Sequence, residues 1–328
     1  MAKKIVIYGE NWLGTLPKLL FDELAFRGYK VVLFDYTDIL PGIKYRSLIQ
    51  RVQRKIFYQS YIDLIQSAFC RIIEKERPDL VIVAKGLHIK QQTLRYIKNS
   101  GAFLVNWNPD DFFNMKNSSE ALIKSIPFYD LIISSREHLF DKYEKNGARQ
   151  LLFLDWYYVP ELHYDHGLDQ DIFVSFVGSW SPYRENFISK IDRPVTIWGG
   201  GWENSSFKFR KKHFVNKIIL SQIEMSKVFN RSRFNLNLLT YENSDFTNLR
   251  FFEVPASKGL LLTERNHHSL QLMKEGKECL MFESVNDVNS VLNNSYDYKS
   301  IAELGHKRII SDKHSFSDRI NIFLKFID

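Results

Sequence analysis

Residues 248–263 of the chain read NLRFFEVPASKGLLLT. Arg250 and Glu253 lie three residues apart, so one face of a helix would carry both side chains. A turn of small residues that includes Gly259 follows, and the apolar run after it ends at Thr263. The pattern predicts a helix that carries a charged pair near its start and leads into a buried parallel strand.

The charged pair of this stretch has two interpretations. An Arg can neutralise a diphosphate, and a Glu can hold a ribose through its hydroxyls, which would make the stretch part of a sugar-nucleotide site. The alternative is an internal Arg–Glu pair at the start of a helix, with a structural role only. The rest of the chain favours the binding site.

Length and composition describe a soluble globular protein of ordinary kind. The chain has 328 residues, which favours two domains, and it is 45% hydrophobic and 25% charged. Its two cysteines, Cys70 and Cys279, lie far apart and without partners at metal-binding spacing, so a disulfide framework or a zinc site is not expected. With no signal segment and no apolar run of transmembrane length in the sequence, we expect a cytoplasmic protein.

The net charge of +7 is unevenly placed. Between Asp38 and Asp63 there are five basic residues and no acidic one, and apolar residues alternate with them at roughly helical spacing; the basic residues are Lys44, Arg46, Arg51, Arg54 and Lys55. A basic amphipathic helix is typical of an element on an anionic membrane surface, where the protein would be peripheral at the inner face of the plasma membrane. The alternative is a solvated helix packed on its own domain.

A second basic cluster gives a weaker signal. It comprises Lys208, Arg210, Lys211 and Lys212, and it either adds to the same face or is a solvated loop. Because basic and aromatic residues do not alternate as they do in RNA-binding motifs, nucleic acid is not an expected partner.

Short apolar runs alternate with helical stretches through both halves of the chain. Strands that alternate with helices predict doubly wound parallel sheets. We therefore predict an α/β protein of two Rossmann-like domains that face each other across a cleft: residues 1–156, residues 157–312, and a C-terminal helix, residues 313–328, that packs back on the first domain. Ligands in such folds bind at the carboxyl ends of the strands, so the residues just after strands are the candidates for chemistry.

In the first half, polar residues follow two predicted strands. Asn108, Asp110 and Asp111 come after the strand that ends at Trp107. The two carboxylates could bind sugar hydroxyls, and one could act as a general base on an acceptor hydroxyl; the alternative is helix capping. His88, after Lys85-Gly86, is a further catalytic candidate, although a lone His is more often structural.

In the second half, two glycine-containing turns follow predicted strands. Gly178 and Ser179, with Arg184 nearby, suit the oxygens of a phosphate. Trp198 and Gly199 begin a glycine-rich turn where the backbone could closely approach a flat base. For both turns the alternative is ordinary tight-turn chemistry.

An ordered series of motifs resembles the CgeB-like, spore-maturation-protein-type glycosyltransferases. The motifs are FVGS at residues 176–179 with Arg184, IWG at residues 197–199, the series from Arg250 to Thr263, and EGKE at residues 275–278. The resemblance is strongest between about residues 171 and 282. It implies the GT-B fold, with a donor sugar nucleotide held mainly by the second domain.

The resemblance also implies roles for single residues. Glu253 matches the Glu that holds the donor ribose in related retaining enzymes, and Asp245 stands where those enzymes often have a Glu that contacts the sugar. Arg250 and Arg184 would offset the charge of the leaving diphosphate. No bound metal or other cofactor is expected, because cationic side chains and a helix N-terminus do this work in GT-B enzymes.

The sequence therefore predicts a metal-independent glycosyltransferase. It would move a sugar, with retention, from a nucleotide diphosphate sugar, a uridine-based one being favoured, to a cell-surface glycan or a lipid-linked, lipopolysaccharide-type acceptor. Two alternatives stay open at this point. One is a sugar-nucleotide epimerase of the same fold, and the other is a non-catalytic sugar-nucleotide-binding protein.

Overall fold

The computed structural model describes residues 3–41, 48–239 and 246–327. Lys44, Arg46 and Asp245 lie outside the described residues. The chain divides into two compact units, Met1–Asp155 and Trp156–Asp328.

Unit 1 is a parallel six-stranded sheet with helices. Its strands are β1 (Lys4–Tyr8), β2 (Lys30–Phe34), β3 (Leu80–Ala84), β4 (Phe103–Asn108), β5 (Leu131–Ser134) and β6 (Leu151–Phe153). Its helices are α1 (Leu16–Phe26), α2 (Leu48–Ile56), α3 (Tyr58–Glu76), α4 (Gln91–Asn99), α5 (Glu120–Ile123) and α6 (Phe140–Lys145). The strand order is β2-β1-β3-β4-β5-β6, and every pairing is parallel.

The central strands of unit 1 are apolar along their whole length because both faces of the sheet are covered. Every residue of β3 is buried, as is β1 from Ile5 to Tyr8. The Tyr8 ring lies 5.0 Å from that of Phe69 of α3, which fixes this helix on the sheet. Burial raises the pKa of the Tyr8 hydroxyl, which donates a hydrogen bond to the Leu87 carbonyl at 2.8 Å.

Unit 2 repeats this plan. Its strands are β7 (Ile172–Val177), β8 (Thr196–Trp198), β9 (Phe214–Asn216), β10 (Ser232–Asn237), β11 (Leu261–Glu264) and β12 (Leu280–Phe282). Its helices are α7 (Pro182–Ser189), α8 (Phe207–Lys212), α9 (Gln222–Arg231), α10 (Leu249–Ala256), α11 (His267–Leu272), α12 (Val285–Asn293), α13 (Tyr298–Ser311) and α14 (Phe316–Ile327). The strand order is β12-β11-β10-β7-β8-β9, and every pairing is parallel.

The stretch that predicted the fold forms the predicted elements. Helix α10 covers Leu249–Ala256, and β11 follows after a turn. Gly259 is needed there, because a Cβ on it would lie 2.7 Å from the Phe229 carbonyl oxygen. The helix leads into a strand that pairs with β10 on one side and β12 on the other, and α10 packs against β10 and β11.

The described helices include none that is both long enough and apolar enough to cross a bilayer.

Candidate functional site

The start of α10 is fixed beside the carboxyl end of β10. Asn248 caps the helix, since its side-chain oxygen accepts a hydrogen bond from the Phe251 backbone N–H at 3.2 Å. Its amide nitrogen donates to the Asn237 side chain at 2.9 Å, at the last residue of β10. The cap therefore aims the positive end of the α10 dipole at the carboxyl edge of the sheet.

Arg250 spans from α10 to the end of β7. Its Nε donates to the Val177 carbonyl at 3.3 Å, and one terminal nitrogen contacts the Met225 sulfur at 3.1 Å. The other terminal nitrogen forms an ion pair with Glu253. The side chain keeps 23% of its surface exposed, so a cation is held at the sheet edge with part of its surface available to a ligand.

Glu253 is buried, with only 2% of its side chain exposed. Besides Arg250, its carboxylate faces the Nε2 atom of His163 at 3.5 Å. His163 Nδ1 accepts the Val159 backbone N–H at 3.0 Å, so Nε2 carries the proton in the neutral ring. Its hydrogen-bond partner is Gln222 Oε1 at 3.3 Å, and the Glu253 carboxylate is its neighbour. The internal Arg–Glu pair is thus present, and the contact of Glu253 with a ribose stays a prediction.

Tyr157 lies in the same buried surroundings. Burial and the neighbouring charge of Glu253 raise the pKa of its hydroxyl. Its ring packs 4.7 Å from that of Phe316 at the start of α14. The segment that holds Tyr157 and His163, which the sequence marks as a connection without periodicity, is therefore part of the core of unit 2 and supplies a partner of Glu253.

The two glycine turns are hydrogen-bonded to each other through their backbones. Gly178 N–H donates to the Trp198 carbonyl at 2.9 Å, and Trp180 N–H donates to the Gly200 carbonyl at 2.9 Å. Gly199 has a φ of +143°, and a Cβ on it would lie 2.1 Å from the Gly178 carbonyl oxygen. Only glycine fits there, so the two turns approach each other as closely as their backbones allow.

Arg184 is a second cation at this sheet edge. It lies in the first turn of α7, which Ser181 caps, and its guanidinium donates to the Ser179 carbonyl at 2.9 Å and to the Leu238 carbonyl at 3.2 Å. The guanidinium also lies 5.5 Å from the centre of the Phe176 ring. These contacts join the ends of β7 and β10.

Glu264, the last residue of β11, was not among the predicted site residues. Its carboxylate accepts the Leu239 backbone N–H at 2.9 Å. Burial raises its pKa, while the hydrogen bond from Leu239 and the charge of Arg184 lower it. The rule that site residues follow strands could have found this side chain, because it comes directly after the apolar run that ends at Thr263.

In unit 1, the predicted carboxylates have different surroundings. Asp110 forms an ion pair with Lys85 at 2.5 Å, which joins the end of β3 to the loop after β4. Asp111 is buried and accepts the Phe113 backbone N–H at 2.8 Å, and Asn108 accepts the Asp110 N–H at 3.1 Å. Asp111 and Asn108 therefore stabilise a turn and do not cap a helix, since the next helix, α5, begins at Glu120, and Asp110 is the more exposed carboxylate.

His88 sits in a loop with left-handed backbone. Its φ is +65°, and Lys85 and Gly86 have φ of +60° and +90°. Its Nδ1 is 2.8 Å from the Tyr58 hydroxyl, and its ring meets the edge of the Tyr36 ring at 5.3 Å. Burial, followed by the charge of Arg54, lowers its pKa. Such a conformation is kept only where surrounding contacts hold it, and it occurs often at functional sites.

The structure thus forms two sets of predicted residues, one in each unit. Unit 2 gathers Gly178, Ser179, Arg184, Trp198, Gly199, Arg250 and Glu253 at the carboxyl ends of β7, β8 and β10. Unit 1 gathers His88, Asp110 and Asp111 at the carboxyl ends of β3 and β4. Within the described ranges, no group of three or more His, Cys, Asp or Glu side chains is placed to hold a metal ion.

A comparison with protein-family models finds a match in the second half of the chain. Residues 184–325 match the family model described as Glycosyl transferase-like. The matched segment begins at Arg184 and contains α10, so it includes both cations of the unit 2 site. No curated protein sequence matches the chain.

Many solved structures match nearly the whole chain. The sucrose-phosphate synthase of Thermosynechococcus elongatus superposes with a TM-score of 0.74 at 12% identity, covering 99% of this chain and 98% of that one. HepE of Anabaena, in complex with UDP and glucose, gives 0.67 at 10% identity, covering 99% of each chain. The E. coli trehalose-6-phosphate structure bound with UDP-2-fluoro glucose gives 0.65 at 10% identity, covering 97% and 98%.

These structural similarities extend over both units. Because the sequence identities are only 10–12%, the similarities show the fold and nothing more. The predicted α/β fold class is confirmed. The chain has the GT-B fold, and its residues 184–325 match the Glycosyl transferase-like family model.

Proposed function

We propose that the protein is a metal-independent, retaining glycosyltransferase that moves a sugar from a nucleotide diphosphate sugar, uridine-based by preference, to a glycan or lipid-linked acceptor. The family model over residues 184–325 and the neighbours that hold UDP or a UDP-sugar support this proposal. The finer resemblance to CgeB-like enzymes belongs to it as well. The strongest structural support for the proposed function is the position of the Arg250 guanidinium, which donates to the Val177 carbonyl beside the capped start of α10.

On the donor side, the chain would bind and stabilise a departing diphosphate. Arg250 and Arg184 supply positive charge, and the N-terminal amides of α10 supply a dipole, as charge develops on the leaving group. The close approach of Gly178 and Gly199 holds the two turns together at the ends of β7 and β8, where their backbones would border the donor. Glu253 would meet the ribose by an oxygen that now faces Arg250 or His163, so donor binding would rearrange this pair.

On the acceptor side, unit 1 would orient the acceptor hydroxyl. His88 has a lowered pKa, so it is neutral at pH 7 and can accept or donate a hydrogen bond. Asp110, held by Lys85, offers a carboxylate to hydroxyls. If the reaction inverted the anomeric centre instead, Asp110 would be the base of choice, because Asp111 is buried in its turn.

A nucleotide panel tests the donor assignment. We expect one nucleotide diphosphate family to raise the melting temperature selectively, because a ligand at a hundred times its Kd adds about 2.7 kcal/mol to stability. The shift should be the same with and without a metal chelator. Melting curves of the purified protein measure it. If no nucleotide shifted the curve, or if the shift required a metal, the donor proposal would be contradicted.

The two alternatives give different products. A sugar-nucleotide epimerase would convert the donor to its epimer with no acceptor present, and a binding protein would bind the donor without hydrolysis or transfer. Incubating the protein with the donor that stabilises it, with and without acceptor glycans, distinguishes all three.

The basic stretch between Asp38 and Asp63 supports an acceptor at a membrane surface. Its described part contains α2, in which no residue is buried. Leu48 and Ile49 are 76% and 72% exposed, and Val52, Ile56 and Phe57 are exposed as well. The exposure of these apolar side chains supports the interpretation of α2 as a membrane-surface helix.

The charges of this helix are complementary to an anionic bilayer. Arg51, Arg54 and Lys55 accompany the exposed apolar residues, and α2 contains no acidic side chain. A cation near an anionic leaflet contributes about 1 kcal/mol, and apolar side chains add to this by entering the headgroup region. We propose that α2 holds the protein on the inner leaflet, where a lipid-linked acceptor would be presented.

Replacing the three cations tests this proposal. We expect the Arg51→Gln, Arg54→Gln, Lys55→Gln variant to bind phosphatidylglycerol vesicles roughly 100-fold more weakly than the wild type, since three contributions of about 1 kcal/mol are lost. Cosedimentation at low salt measures this. A charge-matched control replaces Lys208, Lys211 and Lys212 of α8 by Gln and should bind as the wild type does. Equal losses in both variants would show that binding follows net charge and not α2.

A further inference from the structure

Unit 2 contains a cavity between α7 and α8, away from the proposed donor site, which we call the α7–α8 pocket. Its lining includes Trp180, Asn186, Lys208, Phe209, Lys212 and His213. None of these side chains has a part in the proposed transfer reaction. Four of them come from the second basic cluster of the sequence or from the residues next to it, so this cluster lies beside a concave surface.

His213 is part of the pocket lining and supplies a buried donor. The side chain is 3% exposed, and its Nδ1 accepts the Val195 backbone N–H at 3.2 Å. The proton of the neutral ring is therefore on Nε2. Burial, and then the charge of Lys212, lowers the pKa of His213 to about 4, so the ring is neutral at pH 7.

The Nε2 atom of His213 is buried and has no hydrogen-bond partner among the residues that the structure describes. Buried donors of this kind are rare in folded proteins, because leaving one unpaired costs free energy. A ligand in the pocket that accepts a hydrogen bond would remove that cost.

The charges of the lining favour an anionic ligand. Lys208 and Lys212 lie on the exposed side of α8. Glu185 also lines the pocket, and its two carboxylate oxygens already accept from the Trp180 indole N–H at 2.7 Å and from the Ser206 backbone N–H at 2.8 Å. Lys212 Nζ donates one of its protons to the Ser189 carbonyl at 3.1 Å. The lining donors that a ligand could use are the other protons of the Lys208 and Lys212 ammonium groups, the His213 Nε2–H and the amide nitrogen of Asn186.

Aromatic rings give the pocket an apolar side. The His213 ring lies 4.5 Å from that of Phe209, and the Trp180 side chain lines the pocket as well. Aromatic faces beside hydrogen-bond donors suit a sugar ring that carries an anionic group. We propose that the α7–α8 pocket is a binding site for a small phosphate-bearing molecule, with the phosphate on Lys208, Lys212 and the His213 N–H.

The pocket is distinct from the proposed donor site but lies directly behind its loops. Phe209 stacks on Trp202 with ring centres 5.4 Å apart, and the Trp202 indole donates to the Gly178 carbonyl at 2.8 Å. Trp180, which also lines the pocket, donates its backbone N–H to the Gly200 carbonyl at 2.9 Å. The two sites therefore share these loops and not their ligand-facing side chains.

Binding of glucose 6-phosphate and of inorganic phosphate tests the proposal. The measurement is isothermal titration in the presence of excess uridine diphosphate, which keeps the proposed donor site occupied. We expect saturable binding of the sugar phosphate to the wild type. The double variant Lys208→Gln, Lys212→Gln should weaken it at least tenfold, because both replaced side chains line the pocket and are exposed, so that folding is preserved.

A neighbouring lysine gives the matched control. Lys211 lies on the same helix but points over the Phe207 ring, at 4.9 Å, and does not line the pocket. Lys211→Gln should bind as the wild type does. His213→Asn keeps an acceptor for the Val195 N–H and removes the Nε2 donor, so it should also weaken binding, with its fold checked by a melting curve.

Each outcome of these titrations either supports or contradicts the proposal. If inorganic phosphate alone bound as tightly as the sugar phosphate, phosphate recognition would be supported and the aromatic side would add nothing. Absence of binding by either probe, or equal losses in the Lys211 and Lys208/Lys212 variants, would each overturn the proposal. None of these outcomes depends on whether the protein transfers a sugar.

Discussion

Arg250→Ala is expected to lower turnover with the best nucleotide sugar by roughly 10²–10³-fold. The guanidinium lies at the carboxyl end of β7, beside the start of α10, where a departing diphosphate would develop negative charge. Electrostatic groups aimed at developing charge are usually the largest single term in such a reaction, and losing one costs this much in rate. Steady-state kinetics on the purified variant measure kcat and KM separately.

The same arginine also stabilises the fold, so the experiment needs a second variant. Removing Arg250 takes away the guanidinium with which the buried Glu253 carboxylate forms its ion pair, and leaves that carboxylate beside His163 and Tyr157. Breaking a buried ion pair on one side costs about 3–5 kcal/mol. Arg250→Ala should therefore melt earlier than the wild type, and some loss of activity would come from unfolded protein.

A double variant separates the two effects. Arg250→Met with Glu253→Gln removes both charges, and replacing a buried pair by neutral side chains of similar volume is often tolerated. We expect it to regain most of the lost stability and to stay catalytically impaired. Wild-type turnover in this variant would show that Arg250 serves the fold alone and would contradict its role at the diphosphate.

The elements of this fold could be predicted because the signals for them are local. Apolar runs predict β1, β5 and β7 with the bounds observed, and Leu249–Ala256 is the predicted helix. Short elements were missed: β9 is only three residues long, and α8 is a basic hexapeptide that propensity alone describes as a loop. The basic amphipathic helix predicted between Asp38 and Asp63 ends at Ile56 in its described part, and Phe57 separates it from α3.

The site could be predicted only in part, because its contacts are long-range. The residues after strands were found from the rule that parallel strands end at one edge. The pairing of Glu253 with His163, 90 residues earlier in numbering, has no sequence signal, since the segment around His163 has no periodicity. Likewise, the sequence cannot distinguish Asp110 from Asp111, whereas the structure gives one an ion pair and the other a turn.

Gly199→Ala is expected to have the second large effect, on stability and on donor binding together. The φ of +143° is a conformation that L side chains rarely adopt, and the added Cβ would lie 2.1 Å from the Gly178 carbonyl oxygen. Backbone strain and forced overlap each cost about 1–3 kcal/mol. We therefore expect the free energy of unfolding to fall by about 3 kcal/mol or more, measured by urea denaturation.

Gly200→Ala is the matched control, one residue away in the same turn. A Cβ there would have 3.6 Å to its nearest neighbour, Ile219, and the backbone is outside the left-handed region. Its stability should change by less than about 1 kcal/mol. Because Gly178 must move away from an alanine at position 199, the hydrogen bonds from Gly178 to Trp198 and from Trp202 to Gly178 would be strained or lost.

In the Gly199→Ala variant, the nucleotide sugar would lose its contact with the displaced turn at Gly178 under conditions where unit 2 is still folded. At a temperature where Gly199→Ala is still folded, we expect no selective shift with the nucleotide that stabilises the wild type, while Gly200→Ala keeps the shift. A Gly199→Ala protein that unfolds early but binds the nucleotide normally would show that the close approach of the two turns serves packing alone. With the backbone in its present conformation, the 2.1 Å approach leaves no room for the alanine Cβ. Normal stability of Gly199→Ala would therefore show that the turn can adopt another conformation.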